Sequence, residues 1–445
     1  MKLRLLRLGD AVVSSYLFIP LLMAAAAIAL GVVLVQFDRV LSPHALQHIA
    51  WVYSGDADGA RSVLSTVASS IITVASVTFS ITIAALSLAS QQYGPRLLRS
   101  FVRDRNNQFV LGTFVGTYLY DLMVLRTIRS PTHGAFVPNV AVTCGVAFAI
   151  ATIIVLVYFL HHVSTSIAPE HVIEAVGKEL DHAIDRLYPQ RIGMNGEGTA
   201  ADGSLVAPNF EGAARQVPAH GACYVQAVDG DRLIAVACKH DLVVKVSTRP
   251  GQYVAAAGSI VASAWPHGRA SDEAVRAIAR AFTTGTQRTM VQDAEFGVNQ
   301  LVIVAVRALS PGINAPFTAA MCVDRLGTSL CRLAQRPAPS ALRYDRRGAL
   351  RVIAAPMTFA DMLENALEPI RQYGSNSVPV VVTLLETIGK VARHVDRDAD
   401  CTVLRKHVDL IRRGALEALT LQEDRASITA SYEAAIAVLD GLNAR

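Results

Sequence analysis

Eight hydroxyl side chains follow one another along an uncharged stretch of the sequence. No charged residue occurs between Arg61 and Arg96, and a stretch of that length can cross a bilayer as a helix. Spacings of three, four or seven residues place the hydroxyls on one helical face. We call this face the hydroxyl stripe: Ser62, Ser65, Ser69, Thr73, Ser76, Ser80, Ser87 and Ser90. Hydroxyl oxygens can solvate an ion or a file of water without a fixed charge.

Two interpretations of the hydroxyl stripe remain open. At about 1.5 Å per residue it extends over roughly 42 Å, which exceeds the hydrocarbon core and favours the lining of a pore. Small side chains are also typical of contacts between transmembrane helices, because they let two backbones approach closely. Five alanines widen the face of small side chains on the same predicted helix: Ala68, Ala75, Ala84, Ala85 and Ala89.

Asp121 is the only acidic residue within an apolar span. An ionisable group inside a membrane is costly and is a functional candidate for that reason. The alternatives are a structural ion pair with Arg126 or Arg129, or a position shallow enough to reach water. On the same predicted helix Gly112 and Gly116 form a GxxxG pattern, which indicates helix packing.

A basic cluster follows the Gly-Pro pair that ends the hydroxyl helix. Arg96, Arg99 and Arg103 recur at spacings of three and four, on one helical face. Such a face at the inner membrane surface can contact anionic lipid. It could also form an electropositive vestibule that concentrates anions.

The loop Ser310-Pro311-Gly312-Ile313-Asn314 lies between two predicted helices. Its Pro and Gly specify a rigid turn, Asn314 is the expected helix cap, and Pro316 is suited to begin the next helix. Besides a structural connector, we consider Ser310, Pro311, Gly312 and Asn314 a possible binding loop at a helix N-terminus.

Composition separates the chain into an apolar part and a more polar part. Only 17% of the 445 residues are charged, against about 25% in typical soluble domains, and the apolar excess lies before residue 162. The six Cys residues are scattered without a CxxC pair, which indicates structural thiols. A net charge of +5 does not indicate a nucleic-acid partner. No nucleotide-binding, hydrolase or metal-ligand motif occurs, so we expect no catalytic residue, no metal and no cofactor.

Four stretches are long and apolar enough to span a membrane, at about residues 14–36, 62–92, 109–128 and 136–160. Basic residues in short loops predict which side faces the cytoplasm. The predicted inner side carries seven of them and the outer side four, so we expect both termini to be cytoplasmic. The inner set is Lys2, Arg4, Arg7, Arg96, Arg99, Arg103 and Arg105; the outer set is Arg39, Arg61, Arg126 and Arg129.

The rest of the chain predicts an α+β region. We divide the sequence into a transmembrane domain (1–162), a helix with a flexible linker (163–215), a small β unit (216–265) and a mainly helical domain (266–445). In the β unit, Asp229-Gly230 between two apolar runs predicts a hairpin, and the glycines near 251 and 258 resemble the turns of a small β-barrel. Ser271 is expected to cap a helix reaching about Thr283. Four helices from Thr358 onward predict a small antiparallel bundle.

Two segments resemble a bacterial family of predicted membrane proteins catalogued as DUF2254. The first lies within residues 61–120, and the second combines Gln292-Asp293, Phe296-Gly297 and 307–314. The resemblance covers nearly the whole chain and implies a membrane topology, without an established activity. The family often has Asp where this chain has Ala315, so a charge-based role for the loop 310–314 is not implied here.

From these features we expect a four-span inner-membrane protein that contacts lipid and assembles as a homo-oligomer. The leading hypothesis is a passive ion pore on the oligomer axis, lined by the hydroxyl stripe and regulated by the cytoplasmic domain. The alternative is a non-conducting scaffold or sensor whose cytoplasmic domain binds a partner or a small ligand. A transporter coupled to protons ranks third, since only Asp121 could carry the proton.

Overall fold

A computed structural model describes residues 18–40, 51–94, 105–129, 136–166, 168–188, 212–219, 221–337 and 339–443. The chain forms two compact units, an N-terminal unit of residues 1–172 and a C-terminal unit of residues 173–445. Each unit has its own core.

Four helices of the N-terminal unit are long and apolar enough to cross a membrane. They are α1 (Phe18–Val40), α2 (Ala57–Tyr93), α3 (Arg105–Leu125) and α4 (Asn139–Ser166). The four predicted spans are therefore confirmed as apolar helices, with boundaries shifted by a few residues. The predicted beginning of the first span, residues 14–17, lies outside the described residues.

The closest packing within this unit joins α1 to α3. A Cβ atom at Gly112 would lie 2.5 Å from Met23 Sδ and 3.2 Å from Pro20 Cα. At Gly116 it would lie 3.5 Å from Ala27 Cβ. The GxxxG pattern thus brings two helices of the same chain together, as small residues do in membranes.

Asp38 joins the end of α1 to the beginning of α4. Its carboxylate accepts hydrogen bonds from the backbone N–H groups of Val140 (3.1 Å) and Ala141 (2.9 Å). A helix N-terminus has unpaired N–H groups and a partial positive charge, both of which a carboxylate satisfies. Asp38 therefore acts as a cap supplied by a different helix.

The C-terminal unit contains two sheets. The strands are β1 (Arg215–Pro218), β2 (Cys223–Val228), β3 (Val243–Val246), β4 (Tyr253–Val254), β5 (Ile260–Trp265), β6 (Phe282–Gly285), β7 (Leu342–Tyr344) and β8 (Leu350–Ile353). The larger sheet has the order β1-β5-β3-β8-β7, and the smaller has the order β4-β2-β6. Neighbouring strands are antiparallel except β3 and β8, which run parallel.

Our prediction of a barrel-like β unit is not supported, because the described strands form open sheets. Two helices, α6 (Gly230–His240) and α7 (Asp272–Ala279), supply core side chains that cover the apolar sheet face. Strand β8 comes from about a hundred residues further along the chain than β3. The local sequence between 216 and 265 therefore does not close on itself.

The hairpin predicted at Asp229-Gly230 is wrong. Asp229 is instead the N-cap of α6, and its carboxylate accepts a hydrogen bond from Arg232 N at 3.0 Å. Leu233 and Ala237, four residues apart, are buried. Asp-Gly suits a tight turn and a helix start equally well, and burial of this helical face decided between them.

Ser271 caps α7 as predicted, but the helix ends at Ala279 rather than near Thr283. The next residues leave the helix to form β6 beside β2. Leu342 to Ile353 form a hairpin, with Gly348 at a φ of 78° in the turn.

Six further helices complete the C-terminal unit in its described part. They are α8 (Ala294–Ala308), α9 (Pro316–Ala334), α10 (Phe359–Gly374), α11 (Val378–Ala392), α12 (Asp398–Ala418) and α13 (Gln422–Asn443). Helix α10 begins with a capping box formed by Thr358 and Asp361. The last four helices are the predicted ones, and α8 and α9 pack against them.

Two residues separate helix α5 (Pro169–Leu187) from the end of α4. Three acidic side chains along it pair with an arginine of α9 and with an arginine just beyond the end of α9. Arg325 lies 2.6 Å from Asp181 and 3.2 Å from Glu174, and Arg336 lies 2.5 Å from Asp185. These ion pairs attach the helix that follows α4 to the helical part of the C-terminal unit.

Candidate functional site

The hydroxyl stripe lies on the face of α2 that turns away from the helices of its own chain. Seven of its eight side chains are exposed, and Ser90 is half-buried. The roughly opposite face carries the buried residues Ala60, Leu64, Ala68 and Ile71. Packing among the described helices of the N-terminal unit therefore does not account for the hydroxyls, which leaves them available to lipid, water, ions or another copy.

Hydroxyls along the stripe donate their hydrogen atoms to the helix backbone. Ser69 Oγ donates to Ser65 O (2.7 Å), Thr73 Oγ1 to Ser69 O (2.8 Å) and Ser80 Oγ to Ser76 O (2.9 Å). A hydroxyl has one donor and two acceptor lone pairs. Once the donor is engaged, what the side chain offers outward is an oxygen acceptor.

Asp121 lies inside the N-terminal unit and is fully buried. Within the described residues neither carboxyl oxygen has a hydrogen-bond partner, and no ion pair joins it to Arg126 or Arg129. A Cβ atom at Gly145 would lie 2.7 Å from Asp121 Oδ1 and 2.8 Å from Leu64 Cδ2. Asp121 thus occupies the space that a glycine of α4 leaves open, on the side of α2 opposite the stripe.

The other predicted site residues are the basic cluster and the loop 310–314. Arg96, Arg99 and Arg103 lie outside the described residues. In the loop 310–314 of the C-terminal unit, residues 311–314 are exposed and Ser310 is half-buried. Asn314 is not the helix cap that we predicted. It has a φ of 49°, and the cap position of α9 is Ala315, whose side chain cannot accept a hydrogen bond.

The second sequence signature connects the small sheet to the helical bundle. The Gln292 amide forms two hydrogen bonds with the Val228 backbone, from Val228 N (2.8 Å) and to Val228 O (3.1 Å). Asp293 caps α8 by accepting from Phe296 N at 3.1 Å. It also accepts two hydrogen bonds from Arg288, at 2.8 and 2.9 Å. These polar residues therefore hold the fold together, a role that sequence analysis did not assign.

Among the described residues no group of three or more His, Cys, Asp and Glu side chains could hold a metal ion. His407 is a buried histidine that sequence analysis did not single out. It lies on α12 with 1% of its surface exposed, and neither ring nitrogen has a hydrogen-bond partner within the described part of the chain.

Burial lowers the pKa of His407 below its ordinary value, and the positive charge of Lys406 adds to the effect. Glu364, Glu368 and Arg371 of α10 also act on it, the two acids opposing the shift. The Arg371 guanidinium lowers the pKa of Glu368 to about 2, so Glu368 stays ionised between pH 5 and 8.

Acid is therefore expected to destabilise the C-terminal unit through His407. The unfolded chain takes up a proton near pH 6.5, whereas the folded chain does so only at a lower pH. The free energy of unfolding falls as the pH drops below about 6.5, by about 1.4 kcal/mol per pH unit until the folded pKa is reached. Urea unfolding at pH 8 and pH 5 should show a smaller loss for His407→Leu than for the native chain. An equal loss in both proteins would contradict this assignment.

Comparisons with known proteins agree with the membrane helices. The sequence model of a family described as "Predicted membrane protein (DUF2254)" matches residues 13–390. An uncharacterized protein of Mycobacterium tuberculosis, Rv1290c, is 33% identical over 396 residues, covering 87% of this chain and 74% of the relative. An uncharacterized protein of Mycobacterium bovis, Mb1321c, matches to the same extent. No solved structure matches this chain.

Proposed function

This chain belongs to the DUF2254 family of predicted membrane proteins, and from that premise we propose that it forms an oligomeric passive ion pore. The second helix, α2, lines the pore, and the C-terminal unit regulates it. The observation that carries the proposal is the exposure of the hydroxyl stripe on the side of α2 that the described helices of the N-terminal unit leave uncovered. A pore on the axis of a homo-oligomer gives that face a polar environment.

The proposed permeant is a cation. The stripe offers oxygen acceptors, because its hydroxyl hydrogens are directed to backbone carbonyls. Oxygen acceptors can replace part of the hydration shell of a cation without binding it tightly. Asp121 lies on the other side of α2, so the proposed lining carries no fixed charge along the stripe.

Orientation and regulation complete the proposal. The excess of basic residues in the predicted inner loops supports an inner-membrane protein with both termini in the cytoplasm. Helix α5 supports regulation by the C-terminal unit, since only residues 167 and 168 separate it from α4. The Cα atoms of Ser166 and Pro169 can be at most about 11 Å apart, and this short connection supports transfer of a displacement of α5 to α4.

The pore is tested by replacing Ser69, Thr73, Ser76 and Ser80 with Ala. We expect the oligomer to remain assembled and the cation conductance of proteoliposomes to fall roughly tenfold or more. Losing one ion–oxygen contact of about 1.5 kcal/mol in the narrowest part suffices for a tenfold loss. Reversal potentials in a KCl gradient should show cation preference in the native protein.

A matched pair of single variants controls for general damage to the helix. Ser69 and Ser70 are adjacent exposed serines of α2, and only Ser69 lies on the stripe. Ser69→Ala should lower the conductance, whereas Ser70→Ala should leave it unchanged. Absence of ion flux in the native protein under any gradient would refute the pore.

The alternative function is a non-conducting scaffold or sensor whose stripe forms the contact between copies. The backbone hydrogen bonds of the hydroxyls favour this alternative, because self-satisfied small side chains allow close helix packing. In that case the fourfold Ala variant changes assembly, as judged by cross-linking and light scattering, and no variant conducts ions.

A further inference from the structure

A groove opens between α1, α3 and α4 on the surface of the N-terminal unit. It encloses about 380 Å³ and is lined by Met23, Ala26, Gly112, Ala151 and neighbouring residues. Ligand pockets generally enclose about 300–1,000 Å³, so the groove is large enough for part of a ligand. It belongs to the apolar helices, on surface that a membrane would cover.

The groove lining is apolar and its few polar groups are already satisfied. Thr113 Oγ1 donates to Phe109 O at 2.9 Å, and the Thr117 hydroxyl is bonded to that of Thr152 at 3.1 Å. An apolar volume that no side chain fills forfeits van der Waals contacts. A flexible hydrocarbon chain restores those contacts and needs no hydrogen bond.

A positive charge lies on the same helical face as the groove. Arg105, Phe109, Gly112 and Gly116 follow one another at spacings of four, three and four along α3, and Arg105 is exposed at the helix start. One end of the apolar groove is therefore next to the basic side chain of Arg105, the combination that a lipid with a negative headgroup matches.

We propose that the groove binds one acyl chain of an anionic phospholipid, whose phosphate pairs with Arg105. The acyl chain lies along Met23, Ala26 and Ala151, in the space that α1, α3 and α4 leave between them. The site does not depend on the pore, because the stripe occupies a helix that contributes no side chain to the groove.

The test uses full-length protein purified in detergent and stripped of lipid. Phosphatidylglycerol and phosphatidylcholine with identical acyl chains are titrated separately, with native mass spectrometry and the unfolding temperature as readouts. We expect the native protein to bind phosphatidylglycerol more tightly. Ala26→Phe fills the groove and should weaken binding of both lipids at least fivefold, whereas Ala25→Phe, at an exposed neighbour that does not line the groove, should not. If Ala26→Phe fails to fold, Ala151→Phe fills the groove from α4.

The headgroup contact is tested separately. Arg105→Gln should abolish the preference for phosphatidylglycerol and keep the affinity for phosphatidylcholine, whereas Arg126→Gln at the other end of α3 should preserve the preference. Three results would overturn the proposal: unchanged lipid binding in Ala26→Phe, altered self-association in that variant in place of lipid loss, or equal stabilisation by inorganic phosphate. The second result would assign the groove to a second copy, and the third would assign Arg105 to a lipid-independent anion site.

Discussion

Replacing Asp293 with Ala is expected to lower the free energy of unfolding of the C-terminal unit by about 3–5 kcal/mol. The side chain of Asp293 is 2% exposed and that of its partner Arg288 is 15% exposed. The substitution leaves a nearly buried guanidinium with the longer 3.4 Å contact to Glu295 as its remaining ion pair among the described residues, beside the Phe296 ring. It also removes the N-cap of α8, which by itself contributes about 1 kcal/mol.

Urea unfolding of the full-length protein in detergent measures this loss. Trp265 of β5 reports on the C-terminal unit, and Trp51→Phe removes the only other Trp of the chain. The control is Asp293→Asn, which keeps an acceptor for Phe296 N and should lose less stability than Asp293→Ala. A change below about 1 kcal/mol in Asp293→Ala would mean that the Arg288 pair makes no net contribution.

Gly251 lies directly against the same carboxylate of Asp293. It has a φ of 91°, a conformation that side chains disfavour, and a Cβ there would overlap the Asp293 carboxylate. The turn before β4 and the start of α8 therefore fit together only with Gly at one position and a compact acid at the other.

Replacing Arg325 with Met is expected to be the second largest change, about 2–4 kcal/mol of the free energy of unfolding. The Arg325 side chain is 10% exposed and that of Asp181 is 16% exposed. Without the guanidinium, Asp181 keeps the Ser329 hydroxyl at 2.7 Å and a distant Arg332 at 3.9 Å. Helix α5 is expected to detach before the rest of the bundle, since this pair lies in the middle of its contact with α9.

A double-mutant cycle separates the ion pair from simple packing. Asp181→Leu alone should also destabilise, because it leaves Arg325 with the exposed Glu174 and the Ser329 hydroxyl as its described partners. The double variant should be more stable than the sum of the single losses predicts, by about 0.5–3 kcal/mol. Strict additivity would show that the two side chains do not interact. Limited proteolysis within residues 169–187 provides an independent measure of α5 detachment.

The elements that could be predicted from sequence are those with local causes. Four apolar helices follow from hydropathy and length, and the α10 capping box from Thr358 and Asp361 three residues apart. The hairpin at 342–353 follows from turn residues between two short apolar runs. In each case residues within one or two turns of each other contain the information.

The predictions that the structure does not support concern elements whose conformation depends on contacts outside the local sequence. Asp229-Gly230 was predicted as a turn because two apolar runs flank it, and only the sheet that buries Leu233 and Ala237 makes the second run a helix. The prediction of a barrel-like unit is not supported because β8, from a distant segment, pairs with β3. Asn314 was expected to cap α9 from its residue type, yet the turn places it in a left-handed conformation one residue too early.

The contact between α5 and the region of α9 had a sequence signal that the predictions did not use. Glu174, Asp181 and Asp185 recur at spacings of seven and four on one helical face, and Arg325, Arg332 and Arg336 do the same on another. Two complementary charge patterns indicate that two helices dock. Nothing in the sequence indicated that Asp121 and Gly145 are neighbours, because that contact depends on how two spans cross.

The hydroxyl stripe shows most directly which features of this protein follow from sequence alone and which depend on tertiary structure. Sequence alone determined that the stripe exists, that it is neutral and that it runs the length of a spanning helix, since helical periodicity is a local property. Which way it faces was decided by tertiary structure, because the orientation of a helix is set by whichever of its faces packs best. Here Ala60, Leu64 and Ala68 pack against the chain's own helices, and the hydroxyls are left outward for a partner outside the chain.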